Sequence, residues 1–337
     1  MTSMEKPLQN IDFLAIGDIV TDTFIQLQDA EVHCNIDDTN CTISMRFGDK
    51  IPYKDAHIIH GVGNSANAAV SAARLGLASG LVASVGNDEL GALCINALQQ
   101  NNVSIEAIKK CDGKNTNHHY VLQYGPERTI LVKHESFTYE LPNYPTSWVY
   151  LSSLATGTES FYAELQNYLE KNPDTQLAFQ PGTFQMKMGV EQLKTMYQRS
   201  KIFFCNKEEA QRILEKPNAD FKELHAGIRN LGPEYVVITD GPNGLTASHT
   251  NEIIWNLPMY PDPKPPIDRT GAGDACSSTI VAAMQLGIPF EQALLWGPIN
   301  SMSVVQYIGA QEGLLSRKQI ESYLQNAPSN YVLTELT

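Results

Sequence analysis

The stretch Asp268-Arg-Thr-Gly-Ala-Gly-Asp274 sets the small residues Gly271, Ala272 and Gly273 before an acid, where an apolar segment of helical spacing, ACSSTIVAAMQLG, begins. Small residues at a helix start leave backbone N–H groups uncovered, and the donors of the first turn have no intrahelical partners, so such a loop attracts anions. The acid is then the residue to explain. A first-turn aspartate is favoured by the helix dipole alone, but an acid beside an anion-binding loop can also take a proton from a hydroxyl. Other polar residues fall where strands would end: Asp18 and Asp22 after IDFLAI, Asn67 just behind Gly63, Asn206 and Glu209 opening NKEEAQRIL, and Thr239, Gly241 and Gly244 around TDGPNG. Asn206 and Glu209 have the spacing of a capping box, and P-N-G that of a plain turn.

Several chemistries are excluded by what the motifs lack. GVGNSA, Gly61 to Ala66, matches the G-x-G-x-x-A dinucleotide fingerprint, but SGLVASVG ends in glycine where a ribose-binding acid is needed, and IDFLAIGD already occupies the first-strand position. No G-x-x-x-x-G-K-[ST] loop, protein-kinase H-R-D set or G-x-S-x-G elbow occurs. His118-His119 would point to opposite faces of a strand, and no Cys or acid completes a zinc set at ligand spacing.

Positioning these residues calls for alternating strands and helices. IDFLAIGD, SGLVASVG, WVYLSSL, TQLAFQPG, KIFFCN and YVVITDG read as buried strands; NSANAAVSAARLG, DELGALCINALQQNN, FYAELQNYLEK, MGVEQLKTMYQRS and NKEEAQRILEK read as helices between them. That rhythm predicts an α/β fold with a mostly parallel sheet covered on both faces, and ligands beyond the carboxyl ends of its strands. Residues 23–60 and 117–135 break the rhythm. HHYVLQYGPERTILVKH looks like a hairpin around Gly125-Pro126, and the two segments are expected to form a small β-sheet lid over the mouth of the main sheet.

GDIVTD, G-x-x-x-N at Gly63 to Asn67, N-x-x-E at Asn206 to Glu209, TDGPNG, DRTGAGD and the late Gly309-Ala-Gln311, in this order over nearly the whole chain, resemble the ribokinase (PfkB-type) family of carbohydrate and nucleoside kinases. Val62 departs from the usual paired glycines and Arg269 from a frequent threonine. The resemblance implies a ribokinase-like three-layer sandwich over residues 1–337, and an ATP- and Mg²⁺-dependent kinase acting on a hydroxyl of a small sugar, with a nucleoside as alternative acceptor and a non-catalytic sugar sensor as a more distant one. It implies Asp274 as catalytic base, the amides of Gly271, Ala272 and Gly273 as charge stabilisers, and Asp18, Asp22, Gly63 and Asn67 as substrate binders. Asn206 and Glu209 would organise Mg²⁺, Glu209 through water; Thr239, Gly241, Gly244 and Asn300 would hold the nucleotide. Asp268 and Thr270, with the loop near Gly309, resemble a monovalent-cation site, so K⁺ joins the implied cofactors.

Phe47, Tyr53, His57, His118 and Tyr120 are candidates to stack on a nucleoside base. Arg128 could bind an anionic sugar, against the plainer readings of a solvated charge or a pair with Glu127. The net charge of -13 opposes attraction to nucleic acid and anionic membranes. No apolar run reaches transmembrane length, and a cytoplasmic protein with a small-molecule substrate is expected. The cysteines at 34, 41, 94, 111, 205 and 276 form no C-x-x-C pair and are expected as reduced, mostly structural thiols. Lids of this family often pair through exposed strand edges, which implies a homodimer.

Overall fold

The computed structural model describes residues 11–34, 41–124, 127–249 and 253–336. Its central sheet runs from edge to edge as β16 (Thr334–Glu335), β15 (Ile254–Leu257), β14 (Leu245–Ser248), β13 (Tyr235–Thr239), β12 (Ser200–Asn206), β11 (Gln176–Phe179), β10 (Thr146–Leu151), β1 (Ile11–Ile16), β6 (Ser79–Gly86) and β7 (Ile108–Cys111). From β13 to β7 all neighbours are parallel, while β14 to β16 extend the sheet antiparallel.

Side chains alternate between the two faces of each strand, so apolar strands of this kind must be covered twice. Phe13, Ala15, Leu81 and Tyr150 belong to one core, shared with helices Asn64–Arg74, Ala272–Gln285 and Trp296–Val304. Leu14, Ile16, Val82 and Val149 belong to the other, shared with Phe161 and Leu165 of helix Glu159–Lys171 and Leu224 and Ile228 of helix Phe221–Asn230. Helix, sheet and helix make the expected three layers.

A second sheet has the order β5 (Tyr53–Val62), β2 (Val20–Leu27), β8 (Asn117–Tyr124), β9 (Glu127–Leu131). β2 pairs parallel with β8, and the outer pairs are antiparallel. The lid strands therefore begin at Val20 and reach Val62, slightly beyond residues 23–60. The turn at Gly125-Pro126 lies outside the described residues, but the β8 and β9 arms it joins pair as a hairpin. A short hairpin of β3 (Glu31–His33) and β4 (Thr42–Ser44) projects from the same segment.

Two expectations are corrected. Cys34 and Cys41 form a disulfide, because the pairing of His33 with Thr42 across β3 and β4 brings the flanking residues together, with Cα atoms 4.0 Å apart. Cys94, Cys111, Cys205 and Cys276 are free thiols. MGVEQLKTMYQRS is not one helix: Thr183–Met188 ends at Gly189, whose φ of +84° leaves the helical region, and Lys194–Arg199 follows.

His225 shows how tightly the edge of the sheet is packed. Its ring nitrogens lie 2.8 Å from Ser248 Oγ and 2.9 Å from Thr246 Oγ1, both on β14. Burial, helped by the charge of Arg229, pushes its pKa down from 6.5 to about 3. Between those values the unfolded chain takes up a proton that the folded one refuses, so stability is intact above pH 6.5 and is lost as pH falls, at ~1.4 kcal/mol per pH unit and a few kcal/mol at most. Urea midpoints measured from pH 7 to 4 are expected to fall more steeply for the natural chain than for His225→Gln; parallel curves would contradict a buried neutral imidazole.

Candidate active site

Helix Ala272–Gln285 starts from Gly271, which has left-handed backbone geometry at φ +79°. A Cβ there would stand 2.3 Å from the Cβ of Ala310, so glycine is required twice over, by conformation and by the close approach of the 309–311 loop. A Cβ on Gly273 would meet only Gln180 Nε2, at 3.9 Å, which leaves the first turn open toward the cleft.

Asp274 lies in that turn, 7% exposed. Asn64 Nδ2 donates to its Oδ1 and Asn67 Nδ2 to its Oδ2, each at 2.9 Å, and Gln180 Nε2 approaches Oδ1 at 3.5 Å. Burial raises the carboxyl above its ordinary range, against the pull of the Asn67, Asn64 and Gln180 donors. Its partners are themselves held. Gln311 Nε2 donates to Asn67 Oδ1 at 3.0 Å, and Ser277 Oγ donates to Gln180 Oε1 at 2.8 Å, where the Tyr150 hydroxyl also donates. A raised, oriented carboxylate with its amide donors fixed from behind can accept a proton from a hydroxyl in the cleft.

The cleft in front of Asp274 encloses about 470 Å³. Asn64, Asn67, Gln180 and Asp274 line it from the main sheet, and Asp22, His119, Arg128, Ile130 and Val132 from the lid and its continuation. Strand register explains the lid side: Asp22 pairs with His119, Val121 with Ile130 and Gln123 with Arg128, so these residues share one face. His119 Nδ1 is 3.5 Å from Asp22 Oδ1, while His119 Nε2 and Arg128 Nε are buried without a hydrogen-bond partner among the described residues.

A second cavity, about 560 Å³, lies on the other side of the same loop. Thr239, Gly241, Gly244, Leu245, Met259, Tyr260, Pro298 and Val305 contribute to its wall, which is largely apolar. Thr239, Arg269, Ala272 and Gly273 line both cavities, so the glycine-rich loop forms the seam between them. Asn206 and Glu209 line the first cavity and also make the capping box, with Glu209 N donating to Asn206 Oδ1 and Asn206 N to Glu209 Oε2, both at 2.8 Å. Burial raises the Glu209 carboxyl, and Asp274 adds to the effect.

The structure brings Asp22, Gly63, Asn67, Asn206, Glu209, Thr239, Thr270, Gly271, Ala272, Gly273 and Asp274 to the first cavity and Gly241 and Gly244 to the second. Asp18, Asn300 and Asp268 line neither cavity. Asp18 is buried behind the cleft, accepts a hydrogen bond from the Tyr139 hydroxyl and faces His134 Nδ1 at 3.5 Å; burial raises its pKa to about 6. Asn300 is fully buried, donating to Thr279 Oγ1 at 2.7 Å and accepting from Leu315 N at 2.8 Å, and Pro298 and Ser301 of its helix line the second cavity instead. Asp268 ties the loop together, its Oδ1 accepting from Thr270 N and Oγ1 at 3.0 and 2.7 Å and its Oδ2 from Gly309 N at 2.9 Å; the late loop thus meets it through an amide.

None of Phe47, Tyr53, His57, His118 and Tyr120, the expected stacking residues, lines the first cavity. His118 and Tyr120 lie on the opposite face of the lid, where His118 Nε2 bonds Thr23 Oγ1 at 2.8 Å and the two rings stack at 4.6 Å. Asn64 and Gln180 join the site beyond the expected residues. Asn64 precedes Asn67 by one helical turn, and Gln180 follows β11 at the carboxyl edge of the sheet; both positions are readable signals.

The sequence model of the pfkB family carbohydrate kinases matches residues 44–317, and the chain belongs to that family. It is 24% identical over 273 residues, covering 74% of this chain and 80% of the relative, to an ATP-dependent 6-phosphofructokinase of Thermoanaerobacterium thermosaccharolyticum. It is 26% identical over 266 residues, covering 76% and 81%, to a nucleoside kinase of Methanothermobacter thermautotrophicus. The solved structure of Arabidopsis thaliana ribokinase complexed with ribose and ATP superposes with a TM-score of 0.76 at 19% identity, over 94% of this chain and 99% of that one, which shows the ribokinase fold. Among the described residues no helix is long and apolar enough to cross a membrane.

Proposed function

We propose that this pfkB-family chain transfers a phosphoryl group from ATP to a hydroxyl of a small sugar. The observation that carries the reading is Asp274: a buried carboxylate, oriented by Asn64 and Asn67, at the seam where a polar cavity meets a largely apolar one. Asp274 takes the proton of the acceptor hydroxyl as that oxygen forms its bond to the γ-phosphorus of ATP and the bond from that phosphorus to the β,γ-bridging oxygen breaks, releasing ADP. The amides of Gly271, Ala272 and Gly273 neutralise the charge that gathers on the moving group, because their small side chains let it come close. Asp22 accepts hydrogen bonds from neighbouring sugar hydroxyls and His119 shares that work.

The apolar walls of the second cavity suit an adenine ring, and Thr239, Gly241 and Gly244 present backbone toward the phosphates. Glu209 would hold Mg²⁺ through water, which fits a hard cation that keeps much of its hydration shell and needs few protein carboxylates. ATP supplies the phosphoryl group and Mg²⁺ part of its charge neutralisation. Asp268 and Thr270 would be the place for K⁺, whose role would be to brace the anion-binding loop.

A homodimer through the lid is supported by Ile58, Tyr120 and Leu131, exposed apolar side chains in one register row on the face turned away from the cleft. Asp274→Asn is expected to keep the fold and lower ADP release in the presence of sugar by 10²–10⁴-fold; turnover within about tenfold of the natural chain would remove the base. Replacing K⁺ by tetramethylammonium is expected to slow turnover, and an unchanged rate would dismiss the cation. Solution scattering should return the mass of two chains; one chain would retire the dimer.

A further inference from the structure

Arg128 is the residue in the substrate cleft that a neutral sugar does not explain. It projects from β9 on the cavity-facing side of the lid, paired in register with Gln123 and followed along the same face by the apolar Ile130 and Val132. Its Nε is buried and has no hydrogen-bond partner among the described residues. Leaving a donor of a charged group buried and unmatched is costly, and the guanidinium fork is shaped for two oxygens of one anion. Of the carboxylates that line the same cavity, Asp274 is held by three amides and Glu209 closes its capping box, while Asp22, whose Oδ1 is buried without a hydrogen-bond partner among the described residues, faces His119 Nδ1 at 3.5 Å on the neighbouring strand and makes no ion pair with Arg128. A sugar hydroxyl gives the fork a single acceptor without charge. A phosphate or carboxylate matches both its charge and its geometry.

We infer that the acceptor is an anionic sugar, a sugar phosphate or sugar acid, whose charged end is gripped by Arg128 from the lid while its free hydroxyl lies at Asp274. The inference rests on the phosphoryl-transfer reading and adds the class of acceptor to it. It also gives the lid a task, since Asp22, His119 and Arg128 all reach the substrate from that one sheet and would draw it down over a bound anion.

Two matched pairs test it: D-fructose with D-fructose 6-phosphate, and D-glucose with D-gluconate. Binding is measured by titration calorimetry with ADP present, and turnover by ADP release from ATP, for the natural chain, Arg128→Gln and Arg128→Lys. The anionic member of at least one pair should bind at least tenfold more tightly than its neutral partner, and which pair responds distinguishes phosphate from carboxylate. Arg128→Gln should weaken that binding by roughly 10- to 100-fold, the size of a lost charge-assisted pair. The neutral sugars and the KM for ATP should stay as they were, and Arg128→Lys should fall between, as a point charge without the fork. Equal binding within both pairs, binding of no member, an equal loss for neutral and anionic sugars in Arg128→Gln, or a raised KM for ATP would each overturn the subsite. A neutral sugar phosphorylated without anion preference would overturn it and leave phosphoryl transfer standing. Arg128-dependent anion binding without ADP release from either pair would keep the anion subsite but overturn the acceptor role assigned to the bound sugar.

Discussion

An ionised carboxyl group almost stripped of water has to be matched by donors, and the whole centre of this molecule is arranged around that requirement at Asp274. Its oxygens receive amides from Asn64 and Asn67, one helical turn apart, and from Gln180 at the end of β11. Those donors come from separate parts of the chain, and each is steadied by another: Asn67 by Gln311 of the late loop, Gln180 by Ser277 and Tyr150. The carboxylate can be raised and still usable because the amides that hold it are themselves held by other side chains.

The same loop divides the space into two unlike chambers. One has Asp22, His119, Arg128 and the amides around Asp274 on its wall, and the other has prolines, Leu245, Met259 and Val305. Gly271, in left-handed geometry and against Ala310, sits in that dividing loop where no larger residue fits.

Much of this was legible in the sequence where chemistry is local. The parallel strands announced themselves as apolar runs, the glycine-rich loop as small residues before an acid, and the Asn206–Glu209 pair as a capping box that the structure contains. What was hidden depended on contacts distant along the chain. Asp18 has the look of a substrate ligand until Tyr139 claims it, and Asn300 faces Thr279 and Leu315 because of how its helix is rotated. His118 and His119 were legible as pointing to opposite faces, but which face met the cavity depended on the pairing of β8 with β2. The disulfide between Cys34 and Cys41 needed the hairpin register of β3 and β4 before seven residues of separation meant anything.

The lid is a sheet whose middle strands, β2 and β8, lie side by side although Val20 pairs with Asn117 and two strands of the main sheet, β6 and β7, intervene in sequence. It is therefore not a cassette. No single cut-and-paste segment carries it, and a chimera that borrowed only one of its two halves would bring strands whose neighbours were selected for a different partner. In this architecture a change of acceptor is more readily reached by replacing individual side chains on the inward face than by exchanging the cover as a piece.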